Sequence, residues 1–406
     1  MTSTRGRIRL LMRRVKRTAE SWSYEVFDRL ALFGMQVTCQ PDVVAVAHLE
    51  RIGDYVLWRP HGVALVARLR EQSTQIVLLI ESDLKELALQ DFPECEVIEL
   101  SRRRLLRNAA YRWKAVRALR QVRPMHTYVP SCPRDSVVHD ALVRALGAPA
   151  TGFAAGFADD QAVMSARSRR LYARLVAPLS GAHIDDQHRA FLGALGIEPA
   201  TQPVPRPSRP RAAESLRYWI LAPGASQDKR RWPAQRFVAM ARMLACEAEP
   251  RVCVLLGGPE ERILCRDIAE SMQTPCIDLA GRTSVGEMQQ WIAHAEFILG
   301  NDSAAGHFAA AMGVPAIIVT GGGHYGRCFP YTAQITPARC RPIAVAEPMP
   351  CFHCDWICQY ATAPNEPYPC IERITIGQVH AALKEARCKP LEGCAAKFDD
   401  APLPPA

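Results

Sequence analysis

The apolar residues of the first stretch fall at Ile8, Leu11, Met12, Val15, Trp22, Val26, Phe27, Leu30 and Phe33. Steps of three, four and seven put them on one stripe, which predicts an amphipathic helix over 8–33. From about residue 41 the period changes. VVAVA (43–47) and IVLLI (76–80) are compact apolar runs of strand length, and EVIEL (96–100) and residues 126–130 continue the strand pattern. Between them come a loop holding Arg-Ile-Gly-Asp with a helix running to Arg70, a helix near 84–90, and a helix in the basic stretch 102–123. Strands separated by helices predict a parallel, doubly wound α/β unit. The run QPVPRPSRPR (202–211) contains four prolines and reads as a linker. Strands then recur at YWILAP (218–223), RVCVLLGG (251–258), CIDLAG (276–281), EFILGN (296–301) and PAIIVTG (315–321), before a last helix over about 375–387. The division expected is a basic amphipathic segment 1–38, a Rossmann-like domain 41–201, a linker 202–214, a second Rossmann-like domain 215–346, a cysteine-rich segment 347–374, and a helix with tail 375–406. Two such domains are expected to hold ligand beyond the carboxyl ends of their strands.

Composition narrows the class. The 406 residues are 49% hydrophobic and 22% charged, the balance of a soluble globular chain. No run approaches the ~18–20 apolar residues of a membrane span, and the basic N-terminus lacks the apolar core and cleavage site of a signal peptide. The cytosol is the expected compartment, with the 15 cysteines reduced. The net charge of +9 is local: residues 1–38 hold eight Lys/Arg against three acids, and 102–123 hold nine and no acid. A nucleic-acid binder spreads its basic residues through a reading surface with aromatics, so no nucleic-acid partner is expected. Two confined basic segments fit an anionic membrane surface or a phosphorylated acceptor. Arg7, Arg9, Arg13, Arg14, Lys16 and Arg17 crowd the first half of the predicted helix, with Trp22 and Phe27 beyond them, as in a helix lying in a lipid interface. A helix docked on its own protein carries the same stripe.

The candidate chemistry gathers at strand ends of the second domain. After its first strand, PGASQDKRRWP offers Gly224 for a tight turn, the Ser226 hydroxyl, and the cations Lys229, Arg230 and Arg231. LLGGPEE brings Glu260 and Glu261, either of which can hold a ribose hydroxyl. LAGRTSVGE brings Gly281, although Ser284 and Glu287 there form a capping box with a purely structural purpose. In GNDSAAGH, Asp302, Ser303, Gly306 and His307 stand where a strand hands over to a helix of small residues. A helix start carries unpaired N–H groups and positive dipole character that suit phosphate. An ordinary helix cap is the plainer reading. Four glycine-bearing turns with a cationic cluster point to a nucleotide diphosphate. Near the C-terminus, Cys351, Cys354, Cys358 and Cys370 have the spacing C-x2-C-x3-C-x11-C, which suits tetrahedral zinc or iron in a structural site, and His353 can replace one ligand.

RIGDYVLWRP, PGASQDKRRWP, LLGGPEE, LAGRTSVGE and GNDSAAGHFAAAMGVP occur in the order and spacing of glycosyltransferase family 9, the heptosyltransferase family of lipopolysaccharide synthesis. The resemblance spans about 43–380. It implies a GT-B fold of two Rossmann-like domains, an acceptor domain followed by a nucleotide-sugar domain. It further implies inverting sugar transfer from an ADP-heptose-like donor to a glycolipid or lipopolysaccharide core acceptor, with no catalytic metal. By the same resemblance the base falls on Asp54, and the diphosphate falls on Arg230 and on Ser303 to His307. Where the family commonly has lysine this chain has Arg230, with Lys229 one place earlier, so either cation can be the phosphate ligand. Related autotransporter-modifying heptosyltransferases carry a four-cysteine iron site in a similar place. The implied location is the cytoplasm, peripheral on the inner face of the membrane. The alternatives are a sugar-nucleotide epimerase of the same architecture and an inactive nucleotide-sugar-binding scaffold at the membrane.

Overall fold

The computed structural model describes residues 21–36, 38–72, 75–154, 166–198, 207–247, 251–332, 341–360, 362–364 and 366–388. The chain forms two compact units: 1–204 with 326–328 and 354–359, and 205–325 with 329–353 and 360–406. The break between 204 and 205 falls within the proline-rich run.

The first unit is built on six strands, β1 (Gln40–His48), β2 (Gln75–Glu81), β3 (Glu96–Leu100), β4 (Pro124–Val129), β5 (Ala150–Phe153) and β6 (Arg174–Val176), in the order β3-β2-β1-β4-β5-β6. All their pairings are parallel. Helices on a parallel sheet bury its strands on both faces, so the strands are continuous apolar runs rather than alternating ones. Val43 to Ala47 and Ile76 to Ile80 are buried accordingly. The second unit repeats the plan with β7 (Tyr218–Ala222), β8 (Val252–Leu255), β9 (Cys276–Asp278), β10 (Ile298–Asn301), β11 (Ala316–Val319) and β12 (Ile343–Val345), ordered β12-β11-β10-β7-β8-β9 and again wholly parallel. Both sheets thus have the dinucleotide-fold order 3-2-1-4-5-6.

Three expectations change. The predicted 8–33 helix is described only from residue 21, where a helix (α1) runs over 21–31; residues 1–20 lie outside the described residues. One face of α1 docks on its own unit. The Tyr24 hydroxyl donates to the Leu106 carbonyl at 2.5 Å, Phe27 meets Trp113 edge-on at 5.7 Å, and Asp28 accepts from the Arg112 fork at 2.6 and 2.7 Å. Second, α2 (Ile52–Arg70) begins earlier than the sequence suggested and absorbs Gly53 and Asp54. Third, the basic helix of 102–123 is two helices, α4 (Arg102–Arg107) and α5 (Ala109–Leu119), after α3 (Lys85–Asp91). Asn108 separates them, and its side chain accepts from Tyr111 N–H at 2.9 Å, as an N-cap does. The strands β5, β6 and β12 and the helices α6 (His139–Leu146), α7 (Ala166–Arg169) and α8 (Ile184–Ala194) were not anticipated. The last helix is α14 (Ile376–Cys388), after α9 (Ala234–Ala245), α10 (Arg262–Met272), α11 (Val285–Ala293), α12 (Ala304–Met312) and α13 (Pro369–Glu372).

Candidate functional site

In the second unit β7 lies beside β10, with Ile220 opposite Ile298 and Ala222 opposite Gly300. Chain order reverses between these two strands, and open α/β sheets bind ligands at such a switch point. The loop after β7 carries Ser226 and Arg230; the turn after β10 carries Asp302 and Ser303. They meet. Arg230 Nη1 donates to Ser226 Oγ at 2.8 Å and Nη2 to Asp302 Oδ2 at 3.1 Å, with side chains only 12% and 15% exposed for Arg230 and Asp302. Lys229 turns elsewhere. Its Nζ donates to Thr362 Oγ1 at 2.6 Å and to the Thr362 carbonyl at 3.2 Å, while its carbonyl accepts from Tyr368 N–H at 2.8 Å. The structure therefore brings Arg230, and not Lys229, to the switch point.

The three polar residues before α12 divide their work. Asn301 is fully buried and braces the β7 loop, donating to the Pro223 carbonyl at 2.7 Å and accepting from Trp232 N–H at 3.0 Å. Asp302 holds Arg230. Ser303 is the N-cap by backbone position, yet its side chain makes no cap hydrogen bond. A plain helix cap therefore does not account for this triplet. His307 is 4% exposed; its Nδ1 lies 2.7 Å from the Tyr331 hydroxyl and its ring stacks on Phe329 at 4.4 Å. Gly306 faces the sheet, where a Cβ would stand 2.7 Å from Ile318 Cδ1 and 2.9 Å from Phe329 Cζ. Its absent side chain allows close helix packing.

The remaining donor-side candidates lie on neighbouring loops. Glu260 is exposed, whereas Glu261 folds back and accepts from Gly258 N–H at 2.6 Å. Burial pushes the Glu261 carboxyl up from its ordinary value. The same side chain closes over Gly224, where any Cβ would strike its carboxylate. Gly281 adopts φ +62°, the left-handed region glycine tolerates, and its N–H donates to the Gly257 carbonyl at 2.8 Å. Ser284 and Glu287 form the expected capping box at 3.2 and 2.7 Å.

In the first unit Asp54 is half-buried in the first turn of α2, just beyond the carboxyl end of β1. It was expected in a loop. The N-cap is instead Arg51, with an extended backbone and no side-chain bond, and Asp54 stands where the helix dipole favours a carboxylate. The same sheet edge carries groups the sequence reading missed. Glu50 Oε1 lies 3.3 Å from His139 Nε2, and Glu50 Oε2 lies 3.6 Å from Arg102 Nη1. Arg102 Nη2 also donates to Asp135 at 2.5 Å. Burial pushes the Glu50 carboxyl up, but His139 and Arg102 outweigh it and hold the group at about 2. A glutamate two residues beyond a buried strand was the available signal.

The cysteine segment is not one piece: Cys354 and Cys358 fall in the first unit, Cys351 and Cys370 in the second. Among the described residues no group of three or more His, Cys, Asp or Glu side chains is gathered as a metal site.

Comparison with known proteins agrees with this architecture. Over 171 residues the chain is 30% identical to lipopolysaccharide heptosyltransferase 3 of Escherichia coli, covering 39% of this chain and 49% of that protein. The chain thus spans about half the length of the curated relatives it matches. The glycosyltransferase family 9 protein of Veillonella parvula DSM 2008 superposes with a TM-score of 0.62 at 17% identity, over 85% of this chain and 97% of that one. The E. coli heptosyltransferase WaaC, solved with ADP-2-deoxy-2-fluoro heptose, gives 0.56 at 17% identity, over 84% and 99%. These likenesses establish the GT-B fold. The sequence model of glycosyltransferase family 9 (heptosyltransferase) matches residues 135–354, more than half the chain, and the protein belongs to that family.

Proposed function

We propose that the protein is an inverting glycosyltransferase that moves a heptose from an ADP-heptose-like donor to a lipopolysaccharide core or related glycolipid acceptor. The observation that carries this reading is the meeting of Arg230, Ser226, Asp302 and the start of α12 at the β7–β10 switch point. A departing nucleotide diphosphate gains negative charge as the bond to the anomeric carbon breaks. A fixed guanidinium and helix N–H groups meet that charge without reorganising. Arg230 is the proposed diphosphate cation and Lys229 an anchor for the 362–368 segment. Asp54, on the first unit, is the proposed base: it takes the acceptor hydroxyl proton as that oxygen forms the new glycosidic bond from the opposite face. Of the two glutamates, Glu261, whose side chain closes over Gly224, is the proposed ribose ligand. His307 acts through packing, holding the helix start through Tyr331 and Phe329.

The acceptor implies work at the cytoplasmic face of the inner membrane, in contact with anionic lipid. Among the described residues no helix is long and apolar enough to cross a membrane. A zinc or iron ion at Cys351, Cys354, Cys358 and Cys370 stands as a proposal of their spacing alone. The test of the mechanism is Asp54→Asn. It keeps the shape of the side chain but cannot take the proton, so kcat falls by roughly 10²–10⁴-fold while ADP affinity by calorimetry holds. Full activity in this variant refutes the assignment.

A further inference from the structure

Helix α1 has two faces, and only one is used by the fold. Tyr24, Phe27, Asp28 and Ala31 pack on α4 and α5, where Arg117 Nη1 also donates to the Ala31 carbonyl at 2.9 Å. The other face exposes Trp22 (58%), Val26 (38%) and Leu30 (61%), and Phe33 (85%) follows in the turn after the helix. Spacings of four and four put the three helical side chains on one line. Scattered exposed apolar residues are ordinary; such a line continued by an exposed Phe is not.

The charge around this line has one sign. Glu25 is paired with Arg29 at 2.8 Å, and Asp28 is buried against Arg112 and Arg144. Arg103, Arg104, Arg107 and Lys114 are exposed on α4 and α5, within a stretch, 102–123, that has no acid. The twenty residues before α1 add seven Lys/Arg against the single acid Glu20. Next to α1 opens a cleft of about 310 Å³ lined by Tyr24, Phe27, Leu106, Arg107 and Asn108.

We propose that the Trp22–Val26–Leu30–Phe33 face is a lipid-docking surface that seats α1 in the headgroup layer of an anionic bilayer. The inference deepens the membrane contact proposed above, and rests on it, by naming the surface and its partner. An interfacial helix buries its apolar face at the headgroup boundary while basic neighbours meet anionic lipid. Here the helix is not a loose tail. Its second face is bolted to the unit, so insertion orients the whole Rossmann-like unit on the membrane. The exposed polar residues beside the line are Ser23 and Arg29, which add no net negative charge, and this balance matches an anionic headgroup layer.

The test is co-sedimentation of the full chain with phosphatidylcholine vesicles, with and without 30 mol% phosphatidylglycerol (about a third anionic, a composition chosen to resolve the charge contribution). Wild type should bind the anionic vesicles more tightly and lose affinity in high salt. The variant Trp22→Ala with Leu30→Glu should bind at least about tenfold more weakly, with unchanged melting because both side chains are exposed. Arg103→Glu with Arg107→Glu should lose the preference for anionic vesicles. Equal binding by wild type and the Trp22/Leu30 variant overturns the proposal. So does a wild-type dimer that Leu30→Glu converts to monomer without any vesicle binding, since the face then covers a second copy. ADP titration on the same samples separates the two readings: failure of wild type to bind ADP counts against the transferase reading, while the vesicle result alone judges the docking surface.

Discussion

Replacing Arg230 by alanine tests the donor site where the geometry is most specific. The guanidinium is held by Ser226 Oγ at 2.8 Å and Asp302 Oδ2 at 3.1 Å, with the pair 12% and 15% exposed. That exposure is low enough for charge-assisted bonds to count. A hydrogen bond to a charged group contributes about 1.5–3 kcal/mol. At 1.4 kcal/mol per decade, losing one such bond to the diphosphate weakens ADP by roughly tenfold to hundredfold. Arg230→Lys keeps the charge but not the planar fork, so its loss should be smaller and its salt dependence closer to wild type. Lys229→Met is the control. Its amine is spent on Thr362, so ADP affinity should stay within about twofold while the melting temperature falls. Isothermal titration with ADP on the three variants decides the matter. Unchanged affinity in Arg230→Ala, or a greater loss in Lys229→Met, refutes the assignment of the diphosphate to Arg230.

Asp28→Asn strands the Arg112 charge, which is 2% exposed; breaking a buried pair costs about 3–5 kcal/mol. At about 2–4 °C per kcal/mol for a unit of this size, melting should fall by roughly 6–20 °C in a thermal scan, and a shift under about 2 °C contradicts this. Burial lowers His48 from 6.5 to about 4, so the unfolded chain binds the extra proton between those values. Stability should therefore drop by about 3 kcal/mol as pH falls from 6.5 to 4 and level off below; urea midpoints for wild type and His48→Phe measure it, and the same slope in both excludes His48 as the source. Elemental analysis of protein purified without chelator tests the four cysteines: near one equivalent of zinc or iron, reduced in Cys354→Ser, carries the spacing argument, and metal-free protein with unchanged melting removes it.

The sequence was legible where burial on both faces leaves an apolar run: IVLLI lies within β2. EVIEL coincides with the edge strand β3 residue for residue although its two glutamates are exposed. The sequence was least legible where elements are short. ATGF and RLV, the strands β5 and β6, have four and three residues and no period to read. Asp54 was misplaced because the start of α2 has no side-chain cap to announce it; Arg51 ends the loop by backbone conformation alone. The choice between Lys229 and Arg230 was beyond local pattern. It depends on Thr362, more than a hundred residues along the chain.

The opposite lesson comes from Asn301, Asp302 and Ser303. Their proximity to a helix start suggests one shared task, capping, yet each has a different one. The buried Asn301 amide ties the loop after β7 to the strand beside it and so fixes where Arg230 begins. The Asp302 carboxylate then fixes where the Arg230 guanidinium ends. A cation held at both points is already oriented when negative charge develops on a leaving phosphate, and orientation before the reaction is what makes such a charge effective. Ser303 makes no cap bond of its own, and in the proposed reading the N–H groups at the start of α12 meet the diphosphate. An Asp302→Asn change therefore separates two roles. If the carboxylate only balanced charge, its loss would strengthen ADP binding by removing a negative neighbour. Because it positions the fork, ADP binding should weaken instead, and by less than in Arg230→Ala, since the charge remains.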